Sequence, residues 1–168
     1  MSSDLSCKLV DLSYKDLSFL PVSVSDNRHV IEHLILDGNN LTEAGLNLAD
    51  LVKLQTLSLN RNQIKDVEGL LNWISLRCPN LKHLSLIGNP GWPHPVTANE
   101  PELYEKYRAY TAKMLPKLRF LDSTPLRRDD TVDQSNMQST DLCSFLKIKY
   151  VYTGASSEGN RYIKDTHL

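Results

Sequence analysis

The residues best equipped for chemistry sit early in the chain. His29-Val30-Ile31-Glu32-His33 matches the H-x-x-E-H spacing that holds zinc when both histidines share one helical face. The same five residues lead into a strand-like stretch, with Ile31 and Leu34 in apolar register, so a repeat strand describes them better than a metal site. The cysteines Cys7, Cys78 and Cys143 are odd in number, far apart and outside any metal-like pair. They read as reduced thiols of a cytosolic protein. Asp129-Asp130 falls in a polar stretch and reads as a solvated charge pair. The sequence holds no glycine-rich phosphate loop, nucleophile elbow or carboxylate dyad. Asn40-Leu41-Thr42 fits a glycosylation sequon, which has no meaning in a cytosolic chain. The expectation is therefore no enzyme, no cofactor and no metal.

The elements around these residues carry a clearer signal. VIEHLILDGNNL, KLQTLSLNRNQI and NLKHLSLIGNP place leucines at Leu34, Leu57 and Leu84, then at Leu36, Leu59 and Leu86, and asparagines at Asn39, Asn62 and Asn89. This is the leucine-rich repeat pattern, in which each repeat gives one short strand to a parallel sheet. Alternate side chains of a strand face opposite ways, so Leu34 and Leu36 point into the solenoid while Ile35 and Asp37 point out. The asparagine is expected to satisfy backbone groups of its own coil and the next one.

Residues 7–17 read as a worn first repeat, with Cys7, Val10, Leu12 and Leu17 inward and Lys15 in the asparagine position. Val24 is expected under the sheet, and Leu46, Leu48 and Leu51 along the second arc. Leu34 to Leu57 spans 23 residues and Leu57 to Leu84 spans 27. The longer arc holds Val67, Leu70, Leu71 and Ile74 at helical spacing, which predicts a helix over Val67 to Arg77, ended by Pro79. PGWPHPVTANEP, with four prolines, predicts a loop. A helix is expected from Glu102, with Leu103, Tyr107, Tyr110, Met114 and Leu115 on one stripe and Pro116 as its stop. Leu118 and Leu121 then take the next repeat's positions, with Ser123 in place of the second strand leucine.

The fold class expected is α/β: a short leucine-rich repeat solenoid of about five coils with a C-terminal helical cap and a flexible tail. Residues 1–126 form the repeat domain, with repeats near 7–17, 31–41, 54–64 and 81–91 and a cap at 99–126. Residues 127–146 read as a polar linker and 147–168 as a partner-binding tail. A net charge of −1 and a sequence pI near 6.5 give no global field for nucleic acid or anionic lipid. The two lysines of KIKYVY are too few for a nucleic-acid footprint. No secretory leader, membrane span or lipidation signal is expected, so neither is membrane insertion.

The outward strand positions are the candidate docking surface. Besides Asp11, Ser13 and Tyr14 they comprise His33, Ile35 and Asp37 in one repeat, and Thr56, Ser58, Asn60 and Arg61 in the next. His83, Ser85 and Ile87 follow, with Phe120 and Asp122 last. Ile35, Ile87 and Phe120 among small polar residues suit an apolar patch with a polar rim, on the face expected to be concave.

The NP, YRAY and LPKLRFLD segments resemble the cap of intracellular leucine-rich repeat proteins, a group that includes the spliceosomal U2 A-prime protein and a phosphatase regulator. The end of the chain, YVYTGASSEGNRYIKDTHL, resembles the leucine-rich melanocyte differentiation-associated family through its tyrosine pair, SEGNR core and terminal acidic-x-leucine. That resemblance implies a non-enzymatic adaptor needed for melanocyte differentiation, melanosome biogenesis and pigmentation, its loss linked to albinism. It implies a cytoplasmic protein recruited to endosomes or melanosome precursors. The repeat domain would engage a Rab-type small GTPase. The tail would engage the retriever (commander) recycling machinery through Tyr152, Gly159, Asn160, Arg161, Tyr162, Ile163, Asp165 and Leu168. A pocket for the Leu168 side chain with backbone donors for a terminal carboxylate would suit such a hook. A nuclear ribonucleoprotein scaffold like the U2 A-prime protein is the alternative.

Overall fold

The computed structural model describes residues 8–46, 50–94 and 101–126. The tail residues Tyr152 to Leu168, the linker, Cys7, Leu48 and Cys143 lie outside the described residues. Five short strands run parallel: β1 (Leu9–Asp11), β2 (His33–Ile35), β3 (Thr56–Ser58), β4 (His83–Ser85) and β5 (Phe120–Leu121). They pair strictly in chain order. A sixth, β6 (Thr124–Pro125), turns back antiparallel on β5. Among the described residues three helices lie in the arcs between: α1 (Val22–Asp26), α2 (Val67–Arg77) and α3 (Pro101–Met114). A 3-10 turn occupies Ala44–Leu46.

Register follows the leucine pattern. Val10, Leu34, Leu57, Leu84 and Leu121 stand side by side across the sheet, and the last four are buried. Leu36, Leu59 and Leu86 form a second buried row, and Ile31, Leu54, Leu81 and Leu118 a third. Each buried leucine contributes about 1.5–3 kcal/mol relative to exposure. No coil could hide its own row alone, so the rows must stack. Val24, Leu46 and Leu51 complete the core from the arcs, as their spacing predicts.

The asparagines form the ladder expected, but toward the preceding coil. Asn62 Nδ2 donates to the carbonyls of Leu36 and Leu59, both at 3.0 Å, and its Oδ1 accepts from the Leu41 amide at 3.1 Å. Asn39 likewise reaches back to Leu12, Lys15 and Leu17, and Asn89 to Leu59 and Ile64. The expectation of a bond to the next coil was wrong: the amide groups left to satisfy are the strand-end carbonyls and arc N–H groups of the preceding coil. The residue before each asparagine position has a positive φ: Tyr14, Gly38, Arg61 and Gly88. Only the two glycines take that conformation without a steric cost, which is about 1–2 kcal/mol for other residues.

Helix α2 has the bounds the sequence predicts. Asp66 caps it by accepting from the Gly69 amide at 2.8 Å, and Val67, Leu70, Leu71 and Ile74 face the core. Helix α3 begins at Pro101, whose fixed φ and missing N–H suit a first helical position. The stretch after Leu121 departs from expectation. Asp122 and Ser123 both have positive φ, at 50° and 64°, and form the two-residue turn of the β5–β6 hairpin. Ser123 therefore does not fill a second inward strand position. The repeat stops one residue after Leu121.

Candidate functional site

The sheet face opposite the core is lined by the outward strand positions. Neighbouring strands are about 4.8 Å apart and packed helices about 8–10 Å, so an arc of helices on one side curves the sheet toward the other. Three columns cross that face.

In the first column the His33 ring nitrogen Nδ1 lies 2.9 Å from the Thr56 hydroxyl, and His83 Nδ1 lies 3.5 Å from the same oxygen. One hydroxyl can donate to one ring nitrogen and accept from another, so the Thr56 oxygen links the two histidines across three strands. The His83 ring stacks on Phe120 with centroids 5.0 Å apart. Phe120 is 38% exposed. The next columns hold a chain of bonds. Asp37 Oδ1 accepts from the Ser58 hydroxyl at 2.7 Å and the Asn60 amide N–H at 2.9 Å. Asn60 Oδ1 accepts from the Ser85 hydroxyl at 2.7 Å and the Ile87 N–H at 2.9 Å. At the first strand the Asp11 carboxyl is held below the usual carboxylate range, chiefly by the Ser13 hydroxyl, which donates to it at 2.6 Å.

His33, Ile35, Asp37, Thr56, Asn60, His83, Ser85, Ile87 and Phe120 thus share one surface, all half-buried apart from exposed Phe120. Arg61 is exposed at its rim. Ser58 differs from expectation: it is buried beneath its bonds to Asp37 and Asn60 and braces the face instead of offering contact. Asp122 departs further. The hairpin turn carries it under the sheet, where Oδ1 accepts from the Leu86 N–H at 2.8 Å and Oδ2 from Trp92 Nε1 at 2.7 Å and the Tyr104 hydroxyl at 3.0 Å. Burial, then the nearby Asp122 carboxyl, pushes the Tyr104 hydroxyl up to about 12.

Sequence reasoning missed the polar centre around Asp122. Trp92 meets Tyr104 and Tyr107 edge to face, and buried Arg108 donates to the carbonyls of Leu121 at 3.2 Å and Pro125 at 3.1 Å. The available signal was the alternation in α3: Tyr104 and Arg108 are four residues apart, on the stripe adjoining the one singled out. Of the H-x-x-E-H string, His29 is exposed, Glu32 pairs with Lys8 at 2.9 Å and His33 lies in β2, not on a helix. Among the described residues no group of three or more His, Cys, Asp or Glu side chains could hold a metal ion. No helix among them is long and apolar enough to cross a membrane. Cys78 is buried, and burial pushes its thiol up to about 12.

No family model matches the chain. The chain is 34% identical to the human (Homo sapiens) leucine-rich melanocyte differentiation-associated protein over 82% of its own length and 87% of that protein's. It is 31% identical to the mouse (Mus musculus) centrosomal protein of 72 kDa, covering 54% of this chain and 16% of that one. It is 32% identical to leucine-rich repeat-containing protein 56 of Rattus norvegicus, over 56% of this chain and 17% of the relative. Among solved structures, the Drosophila melanogaster SNF/U2A' complex contains a chain with 23% identity and a TM-score of 0.46, covering 72% of this chain and 75% of that one. The similarity to the human protein runs through most of both chains, where the other two relatives match about half of this chain and less than a fifth of their own length. The chain belongs to the leucine-rich melanocyte differentiation-associated protein family.

Proposed function

We propose that this chain is a non-catalytic adaptor in melanocyte differentiation, with two separate docking elements. The open sheet face binds a Rab-type small GTPase, and the 147–168 tail engages the retriever (commander) recycling machinery. The protein acts in the cytoplasm and is recruited to endosomes or melanosome precursors, in support of melanosome biogenesis and pigmentation. Family membership supports the melanocyte role. The observation that carries the adaptor reading is the construction of the open face. Its polar side chains already bond one another, so little further ordering is lost on binding, while Ile35, Ile87 and Phe120 remain as apolar anchors.

The test uses three baits in pigment-cell lysate: the full chain, a version ending at Thr140, and an Ile87→Glu/Phe120→Ala variant. The full chain is expected to capture both the GTPase and retriever. Ending at Thr140 should remove retriever alone, and the face variant should remove the GTPase alone. Undiminished GTPase capture by the face variant would refute the assignment of the sheet face. A nuclear-speckle location in intact cells would refute the adaptor reading in favour of a ribonucleoprotein scaffold.

A further inference from the structure

The edge where the chain enters the strands carries its own row of side chains: Lys8, Glu32, Gln55, Lys82 and Arg119, each one residue before its strand. At the start of the row the charges cancel. Lys8 pairs with Glu32, and Gln55 Nε2 donates to Glu32 Oε2 at 3.2 Å. Toward the other end the cancellation fails. Lys82 Nζ donates to the Gln55 amide oxygen at 2.9 Å, and Lys117 Nζ to the Asn80 amide oxygen, also at 2.9 Å. Both are neutral acceptors, and among the described residues no carboxylate pairs with Lys82, Lys117 or Arg119.

These three cations surround a cleft of about 350 Å³ whose apolar part is Pro116, Leu118 and Leu126. The cleft lies at the sheet's edge, away from the open face, and belongs to the turns after α2 and α3. A cation cluster with only neutral partners keeps its field for an incoming anion. Lys117 and Arg119 come from the turn after α3 and Lys82 from the segment after α2, and all three line the cleft together with its apolar residues. The volume is that of a ligand pocket, large enough for an apolar side chain. We infer that this cleft is a second docking site, for an acidic peptide that seats a leucine-like side chain between Pro116, Leu118 and Leu126 while its flanking carboxylates meet Lys82, Lys117 and Arg119.

The probe is a fluorescein-labelled pentapeptide with leucine at its centre and two acidic residues on each side, titrated against the full chain by fluorescence polarisation. Saturable binding is expected, weakening as salt rises because exposed pairs are screened within about 10 Å at 0.1 M. Lys117→Glu/Arg119→Glu should loosen it at least about tenfold, and Lys117→Gln/Arg119→Gln about threefold, both with unchanged melting temperature. Replacing the central leucine by alanine should also weaken it. Ile87→Glu, on the open face, should leave it intact, so failure here and failure of the sheet-face assignment are separable. Binding within twofold of wild type for both charge variants overturns the site. Displacement of the peptide by equimolar inorganic phosphate, or tighter binding to phosphatidylserine vesicles than to the peptide, overturns the peptide assignment.

Discussion

Asp122 is the residue whose removal should be felt most at the C-terminal end of the sheet. Its carboxyl accepts from three groups with little alternative: the Leu86 N–H, Trp92 Nε1 and the Tyr104 hydroxyl. Ser85 also approaches at 3.4 Å, but its hydroxyl already has Asn60 at 2.7 Å. Leu86 and Trp92 are buried, so water cannot replace the lost acceptor. A stranded buried donor costs about 1–3 kcal/mol, and alanine at positive φ adds about 1 kcal/mol. With the buried donors of Leu86 and Trp92 both stranded, Asp122→Ala should therefore lose about 3–7 kcal/mol, a large part of a total stability that is typically about 5–15 kcal/mol. Asp122→Asn keeps one acceptor oxygen and tolerates the left-handed backbone, so it should lose only about 1–3 kcal/mol. Urea titration followed by far-ultraviolet circular dichroism and by tryptophan fluorescence reads both. With Trp73 of α2 replaced by phenylalanine, so that Trp92 is the remaining fluorophore, fluorescence should shift at lower urea than circular dichroism in the alanine variant, because Trp92 reports the end that frays first. A loss under about 1 kcal/mol for alanine, or equal losses for both variants, would refute the idea that these bonds fasten the end of the sheet.

Three further outcomes follow from the same geometry. Leu57→Ala, at a fully buried position in the central strand, should cost about 2–5 kcal/mol in denaturant unfolding, and a loss below 0.5 kcal/mol, on the order of a surface substitution, would contradict the inward register. Asn62→Ala should cost about 2–4 kcal/mol, and more than Asn39→Ala, because Asn39 serves the outermost coil, where water reaches Lys15 and Leu17; equal costs would count against the buried-ladder account. The folded state holds Cys78 and Tyr104 at about 12, above their ordinary values of 9.0 and 10.0. Raised folded values mean that this stability is fully present below about pH 9 and is lost as pH climbs toward 12. The urea midpoint should fall between pH 8.5 and roughly 11, and less steeply in Cys78→Ala; a flat profile in the unmutated chain would rule this out.

How far the sequence revealed all this depends on the period of each feature. The leucine rows and the asparagine ladder repeat, so Leu34, Leu57 and Leu84, with Asn39, Asn62 and Asn89, could be placed in register from spacing alone, and α2 to its terminal residues. The candidate face was legible for the same reason, since outward positions alternate with inward ones. What was not legible is what breaks the repeat. Asp122 occupies an outward position by count, but two successive left-handed residues carry its side chain under the sheet, and nothing local to Leu121-Asp122-Ser123-Thr124 announces that turn. Its partners, Trp92, Tyr104 and the strand amide of Leu86, are 30, 18 and 36 residues away in the chain. The cation cleft was hidden likewise, because Lys82 and Arg119 become neighbours only once β4 and β5 pair.

The reversal at β6 has a consequence for how copies of the molecule can meet. A parallel sheet exposes two edges, and an assembly that grows without limit needs both to accept a partner. Here the last edge is two residues long, runs opposite to the other strands and includes Pro125, which has no N–H to offer. Among the described residues only the β1 side presents a three-residue parallel strand edge to a partner. Fibrous stacking along the sheet would therefore stall after a single encounter.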